Sequence, residues 1–449
     1  MKRYLFILIL IFSTYFKVGA QKLEAIDSVF MNSFSDFSKN LENMKNSIWP
    51  DMKIGPYCIF RLNGPAFLMN HPSPPKDALI ANNGICVLNQ TEYGLFGATQ
   101  TMINGTLTAH NDYGQQFYSS INQFYAELFH ELHHVYQRNF VKDLKFDNPA
   151  DLLTYPEDAI NFAIKQFENI LLLEMVSGPP EKFQKNLDLF YSCRTRREEI
   201  IGTKYIDYEK GAESIEGPAT FCEYSYLQHF SKDITEQEYI NHRYLYSLEE
   251  PLYSRNSLRG KCLLTGMAQC IILSKHYKNW QSEYYSSGLF LYDYFIKKMS
   301  PHVTVLPEMH YERAKADIFT TLEKQKHKIN YESFMKQPGI RLILKFKEFP
   351  EFQGFDPMHA EAVNDSTILH STLLRLAKGD DIVDIVNYKA VSVIAGEIWF
   401  VKAVEIFVPE ESVKFDNNEL VISNNNMIDI KWKYLEKFKN GNEYTLTLE

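Results

Sequence analysis

Residues 127–137 read ELFHELHHVYQ and contain the string His130-Glu131-x-x-His134. In a helix, residues four apart lie on one face, one turn from each other, so both imidazoles can reach a single metal ion with Glu131 beside them. At about 100° per residue, the apolar side chains of this stretch gather on the opposite face. The pattern therefore predicts an amphipathic helix whose polar face binds a metal ion.

This string needs a third ligand, since it arises by chance in roughly a few per cent of chains of this composition. A catalytic zinc ion takes three protein ligands and keeps one open position. The metzincin pattern would place a Gly and a His after His134, but Gln137 and Phe140 occupy those positions. His133 falls at the edge of the polar face, so we expect a supporting or surface residue there.

A candidate third ligand lies downstream, where residues 209–226 read EKGAESIEGPATFCEYSY and Glu216 is followed by Gly, Pro and Ala. Together the two strings resemble the gluzincin metallopeptidases, the group that contains thermolysin and aminopeptidase N. In that group a later helix supplies a Glu that is often followed by Gly and a small residue. The resemblance spans about residues 115–290, including a helix-like stretch at 265–280. We expect the small residues to let this second helix approach the first closely.

The resemblance implies a zinc metallopeptidase with a defined set of site residues. His130, His134 and Glu216 would bind Zn²⁺, and Glu131 would be the general base. Glu213 and Glu223 flank Glu216 on roughly the same face, and carboxylates around zinc commonly orient a ligand imidazole through its free N–H group. Of the two, Glu213 is the residue expected in that role.

Two features of the downstream segment leave alternatives open. Pro218 lacks a backbone N–H and crowds the carbonyl of Ser214, so we expect it to kink or restart the helix at the ligand. A restart would remove Glu213 from the face of Glu216.

Such enzymes also need a donor to the oxyanion, and the available candidates are Tyr224, Tyr226, Tyr253, His229 and His242.

The expected reaction is hydrolysis of a peptide or protein substrate by water, without a covalent enzyme intermediate. The alternative is a catalytically inactive zinc-bearing scaffold that binds a protein or glycan partner through its C-terminal region, since a fold does not establish an activity. Glu131 favours the enzyme, because a purely structural zinc site needs no carboxylate there.

The N-terminus has the layout of a cleavable secretory signal at residues 1–20, in which Lys2 and Arg3 precede an apolar run that ends near Gly19 and Ala20. That run is shorter than the roughly 20 residues that span a membrane. We expect an exported protein, secreted or periplasmic, without a membrane span. With 47 Lys+Arg and 56 Asp+Glu, the net charge of -9 gives no electrostatic support for a nucleic-acid partner.

Hydrophobic patterning predicts an α+β protein. A metallopeptidase domain is expected at 21–339, with a strand- and loop-rich part at 21–114 and a helical core at 115–300. The long segment between the two motifs should form a pair of helices. Alternating apolar residues predict a β-rich C-terminal domain at 340–449, of a sandwich-like kind and with an unknown partner.

Overall fold

The computed structural model describes most of the chain, in the ranges 23–76, 78–81, 84–114, 118–252, 254–364, 366–424 and 427–449. The predicted secretory signal at 1–20 lies outside these residues. Within the described ranges, no helix combines the length and the apolar character needed to cross a membrane.

The protein is α+β, as predicted, with a strand-rich C-terminal part. Its helices are α1 (Ala25–Ile48), α2 (Ile121–Phe140), α3 (Pro149–Leu153), α4 (Ala159–Ser177), α5 (Phe183–Ile201), α6 (Thr203–Phe230), α7 (Ile234–Tyr244), α8 (Leu258–His276), α9 (Trp280–Ser287), α10 (Leu291–Met299) and α11 (His310–Phe334). The predicted pair between the motifs corresponds to α4 and α5, whereas α11 was not predicted.

Strands occur in two groups along the chain. The first comprises β1 (Tyr57–Phe60), β2 (Pro65–Met69), β3 (Leu79–Ile80), β4 (Cys86–Asn89), β5 (Thr99–Ile103) and β6 (Thr106–Asp112). The second comprises β7 (Ile340–Phe346), β8 (Glu351–Phe355), β9 (Ala360–Asn364), β10 (Thr367–His370), β11 (Leu373–Lys378), β12 (Asp381–Val386), β13 (Ala390–Ala395), β14 (Glu397–Val408), β15 (Val413–Asp416), β16 (Glu419–Asn424), β17 (Ile428–Asn440) and β18 (Glu443–Leu448).

The chain divides into two compact units. One comprises the described residues of Met1–Leu144, Pro218–Asn241 and Tyr277–Gly288, and the other comprises those of Lys145–Gly217, His242–His276 and Leu289–Glu449. The strands after residue 340 therefore share the second unit with α3, α4, α5, α8, α10 and α11. The division falls inside α6, which is a single continuous helix.

A mixed six-stranded sheet forms the centre of the first unit, in the order β3-β4-β2-β1-β6-β5. β1 and β6 are parallel, and the other neighbours are antiparallel. Helix α1 packs beside α2, where Phe37 stacks on Tyr125 with ring centroids 4.7 Å apart. Since β5 lies at the end of this order, its described hydrogen-bonded neighbour is β6 alone.

The C-terminal strands form one continuous twelve-stranded, barrel-like sheet instead of the expected sandwich. Strand β17 makes the sheet continuous. The first half of β17 pairs with β12 and β16, and the second half pairs with β18. The alternating residues that predicted these strands fill its apolar core, as Leu342 and Leu344 of β7 do. Helix α11 covers part of the sheet, with the Phe334 ring 5.2 Å from that of Phe407.

Helices α6 and α8 cross at a point where only glycine fits. A Cβ on Gly217 would lie 2.6 Å from the backbone of Gly266, and a Cβ on Gly266 would lie 2.6 Å from the carbonyl oxygen of Glu213. Such distances are shorter than carbon atoms tolerate. The small residue after Glu216 was expected to admit the metal-binding helix; in the structure its nearest neighbour is α8.

Replacing Gly266 with Ala should destabilise the protein by about 1–3 kcal/mol, because the added methyl group overpacks the crossing. Gly260→Ala is the matched control on the same helix, since its Cβ would meet only Met358 Cε at 3.6 Å. That control should be neutral or stabilising by up to about 1 kcal/mol. Unfolding followed by circular dichroism compares the two variants, and equal Tm values would contradict the close crossing.

Candidate metal centre

Helix α2 begins at a capping residue that stabilises its first turn. The Ser120 side chain accepts a hydrogen bond from the Gln123 backbone N–H at 3.2 Å, which satisfies one of the free donors of the first turn. Further along, Phe124, Leu128 and Leu132 are fully buried. The apolar face predicted from the sequence therefore anchors the helix and fixes the direction of its polar face.

The two histidines predicted as ligands, His130 and His134, face each other through the same ring nitrogen, Nε2. His130 Nδ1 lies 3.1 Å from Glu223 Oε2, and His134 Nδ1 lies 2.7 Å from Gln137 Oε1. Both partners are acceptors, so each Nδ1 carries the proton and each Nε2 presents a lone pair. The two Nε2 atoms are 3.0 Å apart. Two lone pairs at this distance repel each other unless a shared proton or metal ion lies between them.

Glu216 on α6 adds a carboxylate to the two imidazoles. One ligand atom from each of His130, His134 and Glu216 lies within 4.8 Å of the other two. Two imidazole nitrogens and one carboxylate oxygen are a donor set that zinc takes in catalytic sites. The residues predicted as ligands are thus brought together, and their chemistry fits a zinc ion.

His134 is held by a chain of polar contacts that ends at His133. Gln137 accepts from His134 and donates from Nε2 to the Tyr285 hydroxyl at 3.0 Å, and that hydroxyl lies 3.3 Å from His133 Nε2. The His133 ring is fully buried against Trp49, with centroids 4.6 Å apart. His133 is therefore an internal supporting residue, and of the two alternatives a surface position is excluded.

Glu131 contacts a side chain that the sequence analysis did not single out. The Gln100 amide nitrogen donates a hydrogen bond to Glu131 Oε2. Gln100 lies on the edge strand β5, opposite Ala109 of β6. This contact places the outer strand of the sheet beside the carboxylate that was predicted to be the general base.

A second acidic residue, Glu127, lies one turn before the first histidine. The Tyr118 hydroxyl donates to Glu127 Oε2 at 2.7 Å, and the Asn111 amide donates to the same oxygen at 3.3 Å. Burial raises the pKa of Glu127, the Tyr118 hydrogen bond lowers it, and nearby Glu223 raises it further. The carboxylate is thus fixed by its own partners, close to the one that holds His130.

The carboxylate that orients a ligand imidazole is Glu223, which corrects the expectation for Glu213. Glu213 accepts hydrogen bonds from Arg194 Nη2 at 2.8 Å and from Thr265 Oγ1 at 2.8 Å. It is fully buried and belongs to an ionic cluster in the second unit. Sequence spacing placed both glutamates near the ligand, but only side-chain direction distinguishes them.

That ionic cluster contains three acids and three bases, all fully or almost fully buried: Glu168, Glu209, Glu213, Lys165, Arg194 and Arg197. Lys165 Nζ lies 3.0 Å from Glu209 and 3.2 Å from Glu168, and Arg197 Nη1 lies 2.9 Å from Glu168. The three carboxylates are also close enough to share a metal ion. Their charges are already balanced, so the cluster is a salt-bridge network that needs no cation.

Pro218 does not divide the downstream helix. It lies inside α6, which runs without interruption from Thr203 to Phe230. The expected restart at the ligand is therefore absent, and Glu216 and Glu223 belong to one helix. Residues seven apart lie on the same face, two turns from each other.

The candidate oxyanion donors remain candidates in the structure. The Tyr224 hydroxyl donates to Asn241 Oδ1 at 2.9 Å, and the buried Tyr226 ring packs against Phe230 with centroids 4.7 Å apart. The His229 ring also packs on Phe230, and His242 packs on Tyr246. Tyr253 lies outside the described residues.

Comparison of the chain with protein-family models, with curated proteins and with solved structures gives no match. The functional argument therefore depends on the geometry of the side chains themselves.

Arg194→Met should destabilise the protein by about 3–5 kcal/mol, because it leaves Glu213 and Glu168 buried with one compensating charge fewer. Arg196→Met is the matched control two residues away, where the side chain is 55% exposed and pairs with Glu199. Exposed pairs contribute about 0–1 kcal/mol. Denaturant unfolding measures both variants, and similar losses would show that the buried network does not stabilise the fold.

Acid should weaken the same network. Burial raises the pKa of Glu168, but Arg194, Lys165 and Arg197 outweigh it and hold that pKa at about 2, below the ordinary 4.5. A carboxyl group with a lowered pKa stabilises the fold above its unfolded-state pKa, and this contribution is lost as the pH falls through the folded-state value. Wild-type stability should therefore decline between pH 4.5 and 2, with a smaller slope in Glu168→Gln. Equal slopes would exclude Glu168 as a source of the decline.

Proposed function

We propose that this protein is a zinc-dependent metallopeptidase that hydrolyses peptide bonds with water. The observation that carries the proposal is the pair of His Nε2 atoms facing each other at 3.0 Å, with both Nδ1 atoms held by acceptors. A metal ion would be bound by both lone pairs, and Glu216 would supply the third ligand. The location that we propose is outside the cytoplasm, on the basis of the signal-like N-terminus.

Peptide is the substrate class that the neighbouring strand favours. β5 is hydrogen bonded to β6 on one side, and a strand at the edge of a sheet presents unpaired N–H and C=O groups. An extended peptide can add to such an edge through main-chain hydrogen bonds. Since Gln100 of β5 contacts Glu131, a peptide on this edge would lie close to the proposed general base.

His130, His134 and Glu216 would hold the zinc ion, which would supply the Lewis acidity that activates water and polarises a carbonyl oxygen. Glu131 follows His130 on α2, where its carboxylate can take a proton from the attacking water and deliver it to the leaving nitrogen. Gln100 donates to Oε2 of Glu131. That contact holds one oxygen of the carboxylate, and the other oxygen, Oε1, would be the proton acceptor.

The Glu131→Gln variant tests the assignment, because it removes the proton acceptor and keeps the size of the side chain. Zinc-loaded wild-type protein should hold one zinc per chain and cleave members of a library of internally quenched peptides. The variant should hold the same zinc and lose about 10²- to 10⁴-fold in kcat. Elemental analysis and fluorescence report the two quantities.

Each other outcome contradicts part of the proposal. Unchanged turnover in Glu131→Gln would remove Glu131 as the base. A zinc-loaded wild-type chain that cleaves no peptide would support a binding protein built on the same scaffold. Absence of zinc from the wild-type chain would show that the three ligands do not form a zinc site.

A further inference from the structure

Helix α8 places the guanidinium group of Arg259 beside Glu216, the proposed third ligand. Arg259 Nη2 donates a hydrogen bond to Glu216 Oε1 at 2.9 Å, and Arg259 Nη1 donates to Asp147 Oδ2. The exposed fractions of these side chains are 14% for Arg259, 16% for Glu216 and 6% for Asp147. One guanidinium therefore bridges two carboxylates in a mostly buried setting, where charge-assisted hydrogen bonds are strong.

Two glycines of α6 build this arrangement. Gly217, next to the ligand, allows the backbone of α8 to approach at Gly266, as described above. Gly211 allows the backbone of Asp147 to approach, since a Cβ there would lie 2.6 Å from Asp147 Cα. Asp147, which accepts a hydrogen bond from Arg259, therefore packs directly against α6. Helix α8, which carries Arg259, does so as well.

The contact restricts how Glu216 can bind a metal ion. A carboxylate has two oxygens, and Oε1 is engaged by Arg259. Coordination of a metal ion would then be assigned to Oε2, and Glu216 would bind through one oxygen. Ligation through one oxygen would keep the number of protein donor atoms at three, which leaves the fourth position of a catalytic zinc site open.

Asp147 offsets the electrostatic cost of this device. A guanidinium close to a divalent cation repels it, more strongly in a buried setting than in water. Asp147 supplies a second negative charge to the same guanidinium, and the trio of Asp147, Arg259 and Glu216 carries a net charge of about -1, counted from ordinary ionisation states. The arginine can therefore orient the ligand without cancelling its charge.

We propose that Arg259, held by Asp147, is a positioning residue that fixes Glu216 as a one-oxygen zinc ligand and sets the affinity for the metal. The inference rests on the metal site of the proposed function. Partners of metal ligands commonly change affinity by about 10- to 100-fold when they are removed. The size of the effect should therefore lie in that range.

The primary test measures the zinc dissociation constant of the full chain by competition with a chromophoric chelator at fixed pH. Arg259→Gln should weaken zinc binding about 10- to 100-fold. Arg259→Lys should give a smaller loss, because an ammonium keeps the charge but lacks the planar fork. The matched control Arg196→Gln, on the exposed face of α5, should bind zinc as the wild type does.

A double-mutant cycle shows whether the arginine acts through the ligand. In the Glu216→Ala background, Arg259→Gln should produce no further loss of zinc affinity. An equal loss in both backgrounds would overturn the positioning role, and so would zinc affinity in Arg259→Gln that is unchanged or higher than in the wild type. Absence of zinc binding by the wild type would overturn the metal site itself, which keeps the two failures distinct.

Cobalt substitution gives a signature that loss of folding does not mimic. A three-ligand site with one water is four-coordinate and absorbs strongly in the visible range, whereas a second carboxylate oxygen raises the coordination number and weakens the bands. The bands should weaken in cobalt-loaded Arg259→Gln and persist in Glu131→Gln. Unchanged bands in Arg259→Gln would contradict one-oxygen ligation.

If Arg259→Gln does not fold, Arg259→Lys and Asp147→Asn carry the same comparisons. Wild-type zinc affinity in both of these variants would overturn the proposal.

Discussion

The continuity of α6 is the constraint on which the candidate metal centre depends. Along one helix, Glu209 and Glu213 join the buried ionic cluster, Glu216 is the candidate ligand, and Glu223 holds His130. A helix rises about 1.5 Å per residue, so these carboxylates are fixed relative to one another over roughly 20 Å. The salt-bridge network and the crossing with α8 therefore determine where the third ligand can be.

Charge balance distinguishes the two acidic groups that could bind a metal ion. In the buried cluster, three carboxylates face an equal number of bases, and each oxygen has a cationic or hydroxyl neighbour. At the candidate centre, one carboxylate meets two imidazoles whose lone pairs converge. A divalent cation would disrupt the first arrangement and complete the second. Proximity of ligand atoms alone would not separate them.

Much of this organisation could be predicted from the sequence, because it depends on short spacings. The four-residue interval between His130 and His134 fixes them on one helical face whatever the rest of the fold does. The α+β class also follows from local periodicity. The choice between Glu213 and Glu223 does not, because the direction of each side chain depends on how α6 packs. Pro218 illustrates the same limit, since packing along its length keeps α6 continuous where local propensity predicts a break.

The residues that support the site were missed for a related reason. Gln100 and Arg259 reach Glu131 and Glu216 from elements that are distant in sequence, and neither lies in a recognisable motif. A weak signal was present in the glycines of the downstream segment. Gly211 and Gly217 mark positions where another backbone must come close, and they could have directed attention to the segments that pack there.

The short length of β5 has a consequence for what the proposed peptidase could digest. Its five residues, at about 3.3 Å each, give the strand an edge roughly 17 Å long. A polypeptide can pair with that edge only when its own main-chain groups are not already hydrogen bonded in helices or sheets. Compact, folded proteins would therefore resist attack, whereas unfolded chains, protruding loops and frayed ends would be accessible. So short an edge is better suited to the degradation of denatured or partly degraded protein than to single cuts in intact, well-ordered proteins.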